Sequence, residues 1–534
     1  MRLIVGDTVA PPDEPSDGKD VELHGTKPAS RGARETSSRA MLQSGLANAL
    51  DADKGLQRQI QERLVEAILA GRIPLHEPLP ATRSLAQTLK VSRNTVTMDY
   101  ERMAEDGYLR AVSRRGYFVN DRALRERLNV QVEPHARQVI ARAPGPVDFA
   151  RRLRRPLEAQ VNIVKPANWR DFPYPFVYGQ LGSDKTSLAR WRDCVRLAGT
   201  VRHSHAWMGD LIDDDDPVLL EQITRRMLPQ RGFRADPAEI LVTVGAQNAL
   251  FLIAMLLCGP GTRVAIEEPG YVDARNMILA LGATLVPQSV DANGMRVGEG
   301  LAGADLVYCT PGHQSPTNVT MSLERRLSLM AAAERHDLLI VEDDYEHELN
   351  FVGAQRPSLK SFDQSGRVLH VGSLSKPLFP GLRLGFIVAA EPLIRELRAL
   401  RRLMYRHPSA LDQRAMALFL AEGHYDAHIR RQRKELAAKW ALMLREIDRQ
   451  LPGCDVTMTT GGSGLWLTLP RGVRAQVLQC EAAKAGVLIE AGDVHYLGED
   501  RPTDRIRLGF GAIGQDRIAP GIGQLATVLA TVTG

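Results

Sequence analysis

The spacing of hydrophobic residues changes three times along the chain. Up to about residue 50, apolar positions show little periodicity among Pro, Gly, Ser and Asp, which predicts a disordered extension over residues 1–52. From Leu56 the spacing is helical, with Ile60, Leu64 and Ile68 recurring every four residues on one face. Gly71 is expected to end this helix, and Pro74, Pro78 and Pro80 to break the chain after it. A second short helix carries Leu85, Ala86 and Leu89, with Thr82 as its expected cap. A third, capped by Ser92, turns Val96, Tyr100 and Met103 to one side before Gly107 ends it. Tyr108–Val119 reads as two short strands around Ser113-Arg114-Arg115-Gly116. Residues 121–160 lose apolar periodicity, and Pro134, Pro144, Pro146 and Pro156 mark a semi-rigid connector. Beyond about 165, apolar runs (Ile240–Val244, Arg263–Ile266, Leu306–Cys309, Leu338–Val341, Val368–Val371, Leu384–Val388) alternate with helical stretches. That alternation predicts an α/β domain with a mostly parallel sheet.

The length of 534 residues suits two or more domains, and a hydrophobic fraction of 44 % allows a sizeable core. The boundaries expected from these patterns are 53–121 for the helical head, 122–165 for the linker and 166–534 for the α/β body. The longest apolar run, Leu250–Cys258, falls well short of the roughly 20 residues of a membrane span, so no membrane partner is expected. The start of the chain lacks the basic and long apolar regions of a signal peptide. Cys194, Cys258, Cys309, Cys454 and Cys480 are scattered and show no metal-ligand spacing, a pattern of reduced thiols in a cytoplasmic protein. The net charge is +5, and residues 121–160, with nine Arg and Lys against five Asp and Glu, hold +4 of it. Positive charge is thus concentrated beside the helical head.

Helix, tight connector, helix with a polar outer face and then a basic hairpin is the plan of a winged helix-turn-helix. The third helix would enter the major groove of double-stranded DNA with its N-terminal residues at the base edges. Those residues are Ser92, Arg93, Asn94, Thr95 and Thr97, all able to bond phosphates or bases. Arg114 and Arg115 at the hairpin tip could reach the backbone or minor groove. On spacing alone, a small protein-binding helical module remains the alternative.

In the body, Val368-Leu-His-Val-Gly-Ser373-Leu-Ser375-Lys376 runs off an apolar strand, and ligands of open α/β sheets sit at the carboxyl ends of strands. A lysine there, flanked by Leu374, Leu378 and Phe379, has its ammonium disfavoured and can condense with an aldehyde. Ser373, Ser375 and Arg383 offer hydroxyls and a cation to a phosphate. Leu338–Val341 leads into Glu342-Asp343-Asp344-Tyr345. Pyridoxal phosphate needs an acid at its ring nitrogen and a donor at its ring oxygen, and Asp343 and Tyr345 supply both. A solvated or metal-binding turn is the alternative for this segment alone. Gly245-Ala246-Gln247 opens a helix that can seat a phosphate on backbone N–H groups. Tyr271, after Glu267-Glu268-Pro269-Gly270, can stack on a ring or simply pack in its loop. Arg507, in Arg505-Ile-Arg507-Leu-Gly-Phe510, can hold a carboxylate or a structural ion pair.

LQRQIQERLVEAILAGRIP…LPATRSLAQTLKVSRNTVTMDYERMAEDGYLRAVSRRGYFV resembles the GntR-type winged-helix domain over its full length. That resemblance implies that Arg83, Arg93, Asn94, Thr95 and Gly116 lie on DNA. The motifs VTVGAQNAL, EEPGY, YCTPGHQSPTNVTMS, IVEDDYEHEL, VGSLSKPLFPGLRLGF and RIRLGF resemble fold-type I aminotransferases. Together the two halves resemble the MocR/GabR-type regulators across nearly all of the chain after residue 50. The resemblance implies pyridoxal 5'-phosphate on Lys376 as an internal aldimine, Asp343 at the ring nitrogen, Tyr345 at the ring oxygen and Tyr271 stacked on the ring. It places Ser373, Arg383, Gly245, Ala246 and Gln247 at the phosphate and Arg507 at an effector carboxylate. It further implies a domain-swapped homodimer that binds an operator and senses an amine or amino-acid effector by external aldimine formation. An active aminotransferase carrying a DNA-binding head is the alternative, and a third reading retires the body to a dimerisation scaffold.

Several positions depart from the family pattern. Gly209–Pro217 lacks the usual tyrosine segment, Asn318 replaces a loop glycine, and Gly462-Ser463-Gly464 replaces a stretch that often holds histidine. Asp273 stands where some relatives carry arginine, and would suit a ligand with a second amine. His424 and His428 have helical zinc spacing, but no third ligand or catalytic Glu is read nearby, so no metal is expected. Asp213–Asp216 reads as a solvated loop or helix start.

Overall fold

The computed structural model describes residues 56–121 and 148–533, apart from 71, 74, 76, 156, 159, 178, 180, 183, 354 and 355. The expected N-terminal extension, most of the linker, Gly71 and Pro74 lie outside the described residues. The chain divides into two compact units, Met1–Asp148 and Phe149–Gly534.

In the first unit, helices α1 (Leu56–Leu69), α2 (Thr82–Leu89) and α3 (Arg93–Glu105) precede the antiparallel strands β1 (Leu109–Val112) and β2 (Gly116–Val119). The fourfold spacing does what it predicts: Ile60, Leu64 and Ile68 are buried against Leu85, Leu89, Val96, Tyr100 and Met103. The Tyr100 hydroxyl donates to the Pro80 carbonyl at 3.0 Å and ties α3 to the segment before α2. The Ser92 Oγ accepts from the Thr95 N–H at 3.1 Å, an N-cap as expected. Thr82 is not a cap. Ala81 holds that position without a side-chain bond, and Thr82 is the first helical residue.

The second unit is built on an eight-stranded sheet. Its strands are β4 (Ile240–Thr243), β5 (Arg263–Glu268), β6 (Thr284–Asp291), β7 (Gly294–Met295), β8 (Leu306–Cys309), β9 (Leu339–Asp344), β10 (Val368–Ser373) and β11 (Gly385–Val388). A two-residue strand β3 (Tyr174–Pro175) precedes them. The order is β4-β11-β10-β9-β8-β5-β6-β7. Neighbours from β10 across to β6 run parallel, while β11 is antiparallel to both β10 and β4, and β7 to β6. Apolar residues such as Val242, Ile266, Val307, Ile340 and Val371 bury both faces of this sheet under helices, as a parallel sheet requires. A second, antiparallel sheet near the C-terminus contains β12 (Gly464–Thr468) and β13 (Arg505–Gly509), packed with the long helix His424–Gln450 and the helix Gln515–Thr533.

The acidic run is not solvated throughout. Asp215 is buried in ion pairs with Arg401 and Arg398, and Asp216 caps the helix Pro217–Gln222 while pairing with Arg414 at 2.7 Å. Among the described residues no helix is long and apolar enough to cross a membrane, and all five cysteines are free.

Candidate functional sites

On the head, Arg83, Ser92, Arg93, Asn94, Arg114, Arg115 and Gly116 are exposed, and Thr95 and Thr97 are half-buried. The hydroxyls are engaged locally. The Ser92 Oγ caps α3 and lies 2.8 Å from the Thr95 Oγ1, and the Thr97 Oγ1 donates to the Arg93 carbonyl at 3.0 Å. The long side chains Arg83, Arg93 and Asn94 are left as the outward groups of this surface. At the hairpin tip Arg114 adopts a left-handed backbone (φ 62°) and Gly116 follows at φ 102°, which turns the chain tightly enough to expose both arginines. Met98, one turn beyond Asn94, is 58 % exposed. An apolar side chain there can meet a thymine methyl. Beneath this face Asp99 is buried, with one carboxylate oxygen lacking a partner among the described residues. Burial raises its carboxyl to about 6, opposed in part by Arg102.

In the body, Gly245, Ala246, Gln247, Tyr271, Asp343, Tyr345, Ser373, Ser375, Lys376 and Arg383 all line one cavity of about 200 Å³. They arrive from the carboxyl ends of β4, β5, β9 and β10 and from the turn before β11. Gly179, Leu250, Ser315 and Pro380 complete the wall and were missed. Ser315 could have been found, because its loop lies at the carboxyl end of β8, in line with the others.

Strand alternation separates three consecutive acids. Glu342 and Asp344 share one side of β9. Glu342 accepts from the backbone N–H groups of Leu359 and Lys360 and meets the His370 Nδ1 at 3.0 Å, while Asp344 pairs with His347 at 3.0 Å and Arg231 at 3.3 Å. Asp343 faces the cavity instead. Its Oδ2 accepts from the Tyr308 hydroxyl at 2.9 Å, and its Oδ1 is buried with no partner among the described residues. Burial raises this carboxyl to about 7, against the Tyr308 bond and the charge of Lys376. An N–H cation beside that oxygen would satisfy it, which is what the protonated ring nitrogen of pyridoxal phosphate offers.

The Lys376 ammonium lies 4.1 Å from the centre of the Tyr345 ring and 3.7 Å from the Glu346 Oε1. Burial lowers its pKa first, Glu346 opposes that shift, and Arg507 adds to it. Glu346 was also missed. It accepts from the Ser463 Oγ at 2.8 Å, which gives the divergent Gly-Ser-Gly stretch a place at this site. The Ser373 Oγ accepts from the Lys376 N–H at 3.1 Å. The Ser375 hydroxyl, in contrast, is spent on the Leu384 backbone, donating to its carbonyl and accepting from its N–H. Gly245 sits at φ 80° where an added Cβ would come within 3.1 Å of the Arg383 guanidinium, so a side chain would fill the cradle between the helix start and that cation. These features fit a phosphate-bearing pyridine aldehyde.

The Tyr271 hydroxyl and the Gln247 side-chain amide both donate to the same oxygen of Asp273, at 2.9 and 3.1 Å. That oxygen is therefore already used within the wall. Arg507 is buried and pairs with Glu490 at 2.6 Å, and the same carboxylate oxygen meets the His495 Nε2 at 2.9 Å. Asn318 adopts φ 59°, a left-handed conformation asparagine tolerates, and its amide donates to the Gly464 carbonyl at 2.6 Å. The two histidines diverge. His428 is buried against Ser187 and the Pro377 carbonyl, whereas His424 meets Cys194 and Glu422, with donor atoms within 4.8 Å of one another. Burial holds the Cys194 thiol up at about 11, so the trio contains no preformed thiolate.

Residues 212–517 match the aminotransferase class I and II family, and residues 56–119 match the gntR family of bacterial regulatory proteins. The HTH-type transcriptional regulator TauR of Rhodobacter capsulatus is 40 % identical over 476 residues, which cover 89 % of this chain and 96 % of that protein. The "Probable rhizopine catabolism regulatory protein MocR" of Rhizobium meliloti is 31 % identical over 481 residues, 89 % of this chain and 94 % of its own. Among solved structures, LysN, an α-aminoadipate aminotransferase from Thermus thermophilus, superposes with a TM-score of 0.64 at 23 % identity, covering 72 % of this chain and 99 % of that one. Pyrococcus horikoshii kynurenine aminotransferase gives 0.63 at 24 % identity, with 76 % and 98 % covered. These two structures share the fold.

Proposed function

Since this chain belongs to the MocR-type transcriptional regulators, in which a gntR-family head is joined to an aminotransferase class I and II domain, we propose that its body binds pyridoxal phosphate and reports a primary amine to the head. When bound, pyridoxal phosphate supplies an aldehyde that condenses reversibly with amines and a ring whose nitrogen carries a proton. Lys376 is the resident amine, and its ammonium is weakened by burial so that it can exchange with a competing one. Asp343 holds the ring-nitrogen proton with its unpartnered oxygen. Arg383 and the N–H groups at Gly245–Gln247 hold the phosphate, Tyr271 covers the ring, and Tyr345 faces its oxygen. Arg507, now bound to Glu490, is the cation offered to an acidic group on the effector. Exchange of Lys376 for the effector shifts a pre-existing equilibrium of the body, and a homodimer presents two heads to the two half-sites of an operator.

The observation that carries this reading is the convergence of Lys376 and the unpartnered Asp343 oxygen on one cavity. The test is the visible absorbance of the purified chain supplied with pyridoxal phosphate, beside Lys376→Ala, during titration with a panel of amines and amino acids. A visible band that is absent in the variant, and that shifts with one amine which also alters operator binding, is expected. No band in the wild-type chain overturns the cofactor. Steady turnover of an amine with a keto acid would make the chain an aminotransferase with a DNA-binding head.

A further inference from the structure

A second and larger pocket, of about 470 Å³, opens on the body away from Lys376, and three arginines line it: Arg155, Arg275 and Arg501. Arg275 is only 8 % exposed. Its Nη1 donates to the carbonyls of Val494 and Tyr496 at 3.0 and 3.1 Å, so the head group is fixed in place by neutral acceptors. Among the described residues no carboxylate stands within ion-pair distance of it. The nearby Glu268 spends an oxygen on the Leu497 N–H at 2.7 Å. Arg501 has a carboxylate, Asp493, at 3.4 Å, but that acid also accepts from Gln476 at 2.8 Å. Burial and the charge of Arg501 both press against the protonated form of Arg275, and Glu268 opposes them only in part. A buried guanidinium without a counter-charge is costly, and the planar fork fits carboxylate and phosphate oxygens.

The pocket also sits at a junction. Arg275 and Asn276 lie on the helix Val272–Ala280, which starts immediately after Tyr271 of the first cavity. The Asn276 amide donates to the Val161 carbonyl and the Asn162 Oδ1, both at 2.9 Å, and the Gln160 amide donates to the Asn276 carbonyl at 3.0 Å. Arg155 lines the same pocket as Gln160 and Val161, which these bonds fasten to the helix.

We propose that this pocket binds a small dianion, a phosphomonoester or a dicarboxylate, between Arg275, Arg501 and Arg155. The dianion supplies the ion-pair partner that Arg275 lacks among the described residues and adds a staple between Arg155 and the helix that begins at the cofactor wall. The site is independent of the chemistry at Lys376.

The test is calorimetric titration of the full-length chain, saturated with pyridoxal phosphate, with inorganic phosphate and separately with succinate at fixed ionic strength, using chloride as the control. One saturable site for phosphate or succinate is expected, and the stronger of the two names the source class. Arg275→Gln is expected to weaken it at least about tenfold, and Arg155→Gln and Arg501→Gln each by roughly threefold to tenfold. The last two arginines are more exposed, so those variants keep the test open if Arg275→Gln does not fold. Arg383→Gln, in the other cavity, is expected to leave the site unchanged. Absence of saturable heat, an equal response to chloride, or weakening that follows Arg383 and not Arg155, Arg275 or Arg501 would overturn the proposal.

Discussion

The outward residues of the head lie between Arg83 and Gly116, on two helices and one hairpin, with a small apolar core beneath them. The residues around the cavity of the body run from Gly179 to Arg383, and those from Gly245 onward meet because parallel strands end side by side. In the head, the residues proposed to meet DNA are solvated side chains whose hydration costs little to rearrange, so each contact is expected to contribute modestly. In the body, charges are held away from water before any ligand arrives, so a single atom such as the Asp343 Oδ1 matters greatly. A buried carboxylate oxygen without a partner among the described residues occurs in both places, at Asp99 and at Asp343, and the one at Asp343 faces the cavity.

The sharpest way to break that contrast is Asp343→Asn. We expect pyridoxal phosphate affinity to fall by about 3 kcal/mol, because a buried charge pair is lost. The cofactor-free chain should gain stability. The Asp343 carboxyl is raised to about 7, above its unfolded value near ~4, so the native state keeps the proton between those limits and loses stability as pH rises through them. Asparagine removes that slope. Cofactor titration together with thermal unfolding of the cofactor-free chain from ~pH 5 to ~pH 8 reads both signs. Equal loss in the two measurements would mean that Asp343 is merely structural.

On the head, Arg93→Ala and Asn94→Ala should each cost about 1–3 kcal/mol on the promoter fragment the wild-type chain prefers, with less effect on random DNA. Fluorescence anisotropy with both DNAs checks this, and uniform weakening would reduce these residues to phosphate contacts. Asp99→Asn should stabilise the head at neutral pH by about 1 kcal/mol. Its raised carboxyl makes native stability fall as pH climbs from about 4 to about 6, and the variant should flatten that limb in proteolysis or hydrogen-exchange measurements. The smallest effect is expected at Arg114→Ala: little change in sequence preference, and a salt dependence of binding shallower by about one phosphate contact.

Local physics made most of the elements legible. The fourfold apolar spacing gave α1, Ser92 gave the start of α3, and six apolar runs gave six strands of the sheet. Thr82 failed as a cap because propensity does not tell the cap from the first helical residue. The antiparallel direction of β11 was readable in principle. Only the stretch Leu374–Leu384, with Pro377 and Pro380, separates it from β10, and a parallel return needs a longer crossover, usually a helix. The cavity was legible where each strand end carried its own chemistry, as at Lys376 and Asp343. It was not legible where a partner comes from afar. Tyr308 bonds Asp343 across adjacent strands, Ser463 reaches Glu346 from the other sheet, and the Leu384 backbone takes up the hydroxyl of Ser375.

The lone oxygen of Asp343 also bears on how long the protein lasts. On the function proposed above, a bound cofactor stabilises the native chain by an amount that grows with the logarithm of its free concentration. A chain lacking it opens more often, and proteases act on opened chains. The cellular level of this regulator would then rise and fall with the supply of vitamin B6, before any effector reaches the pocket.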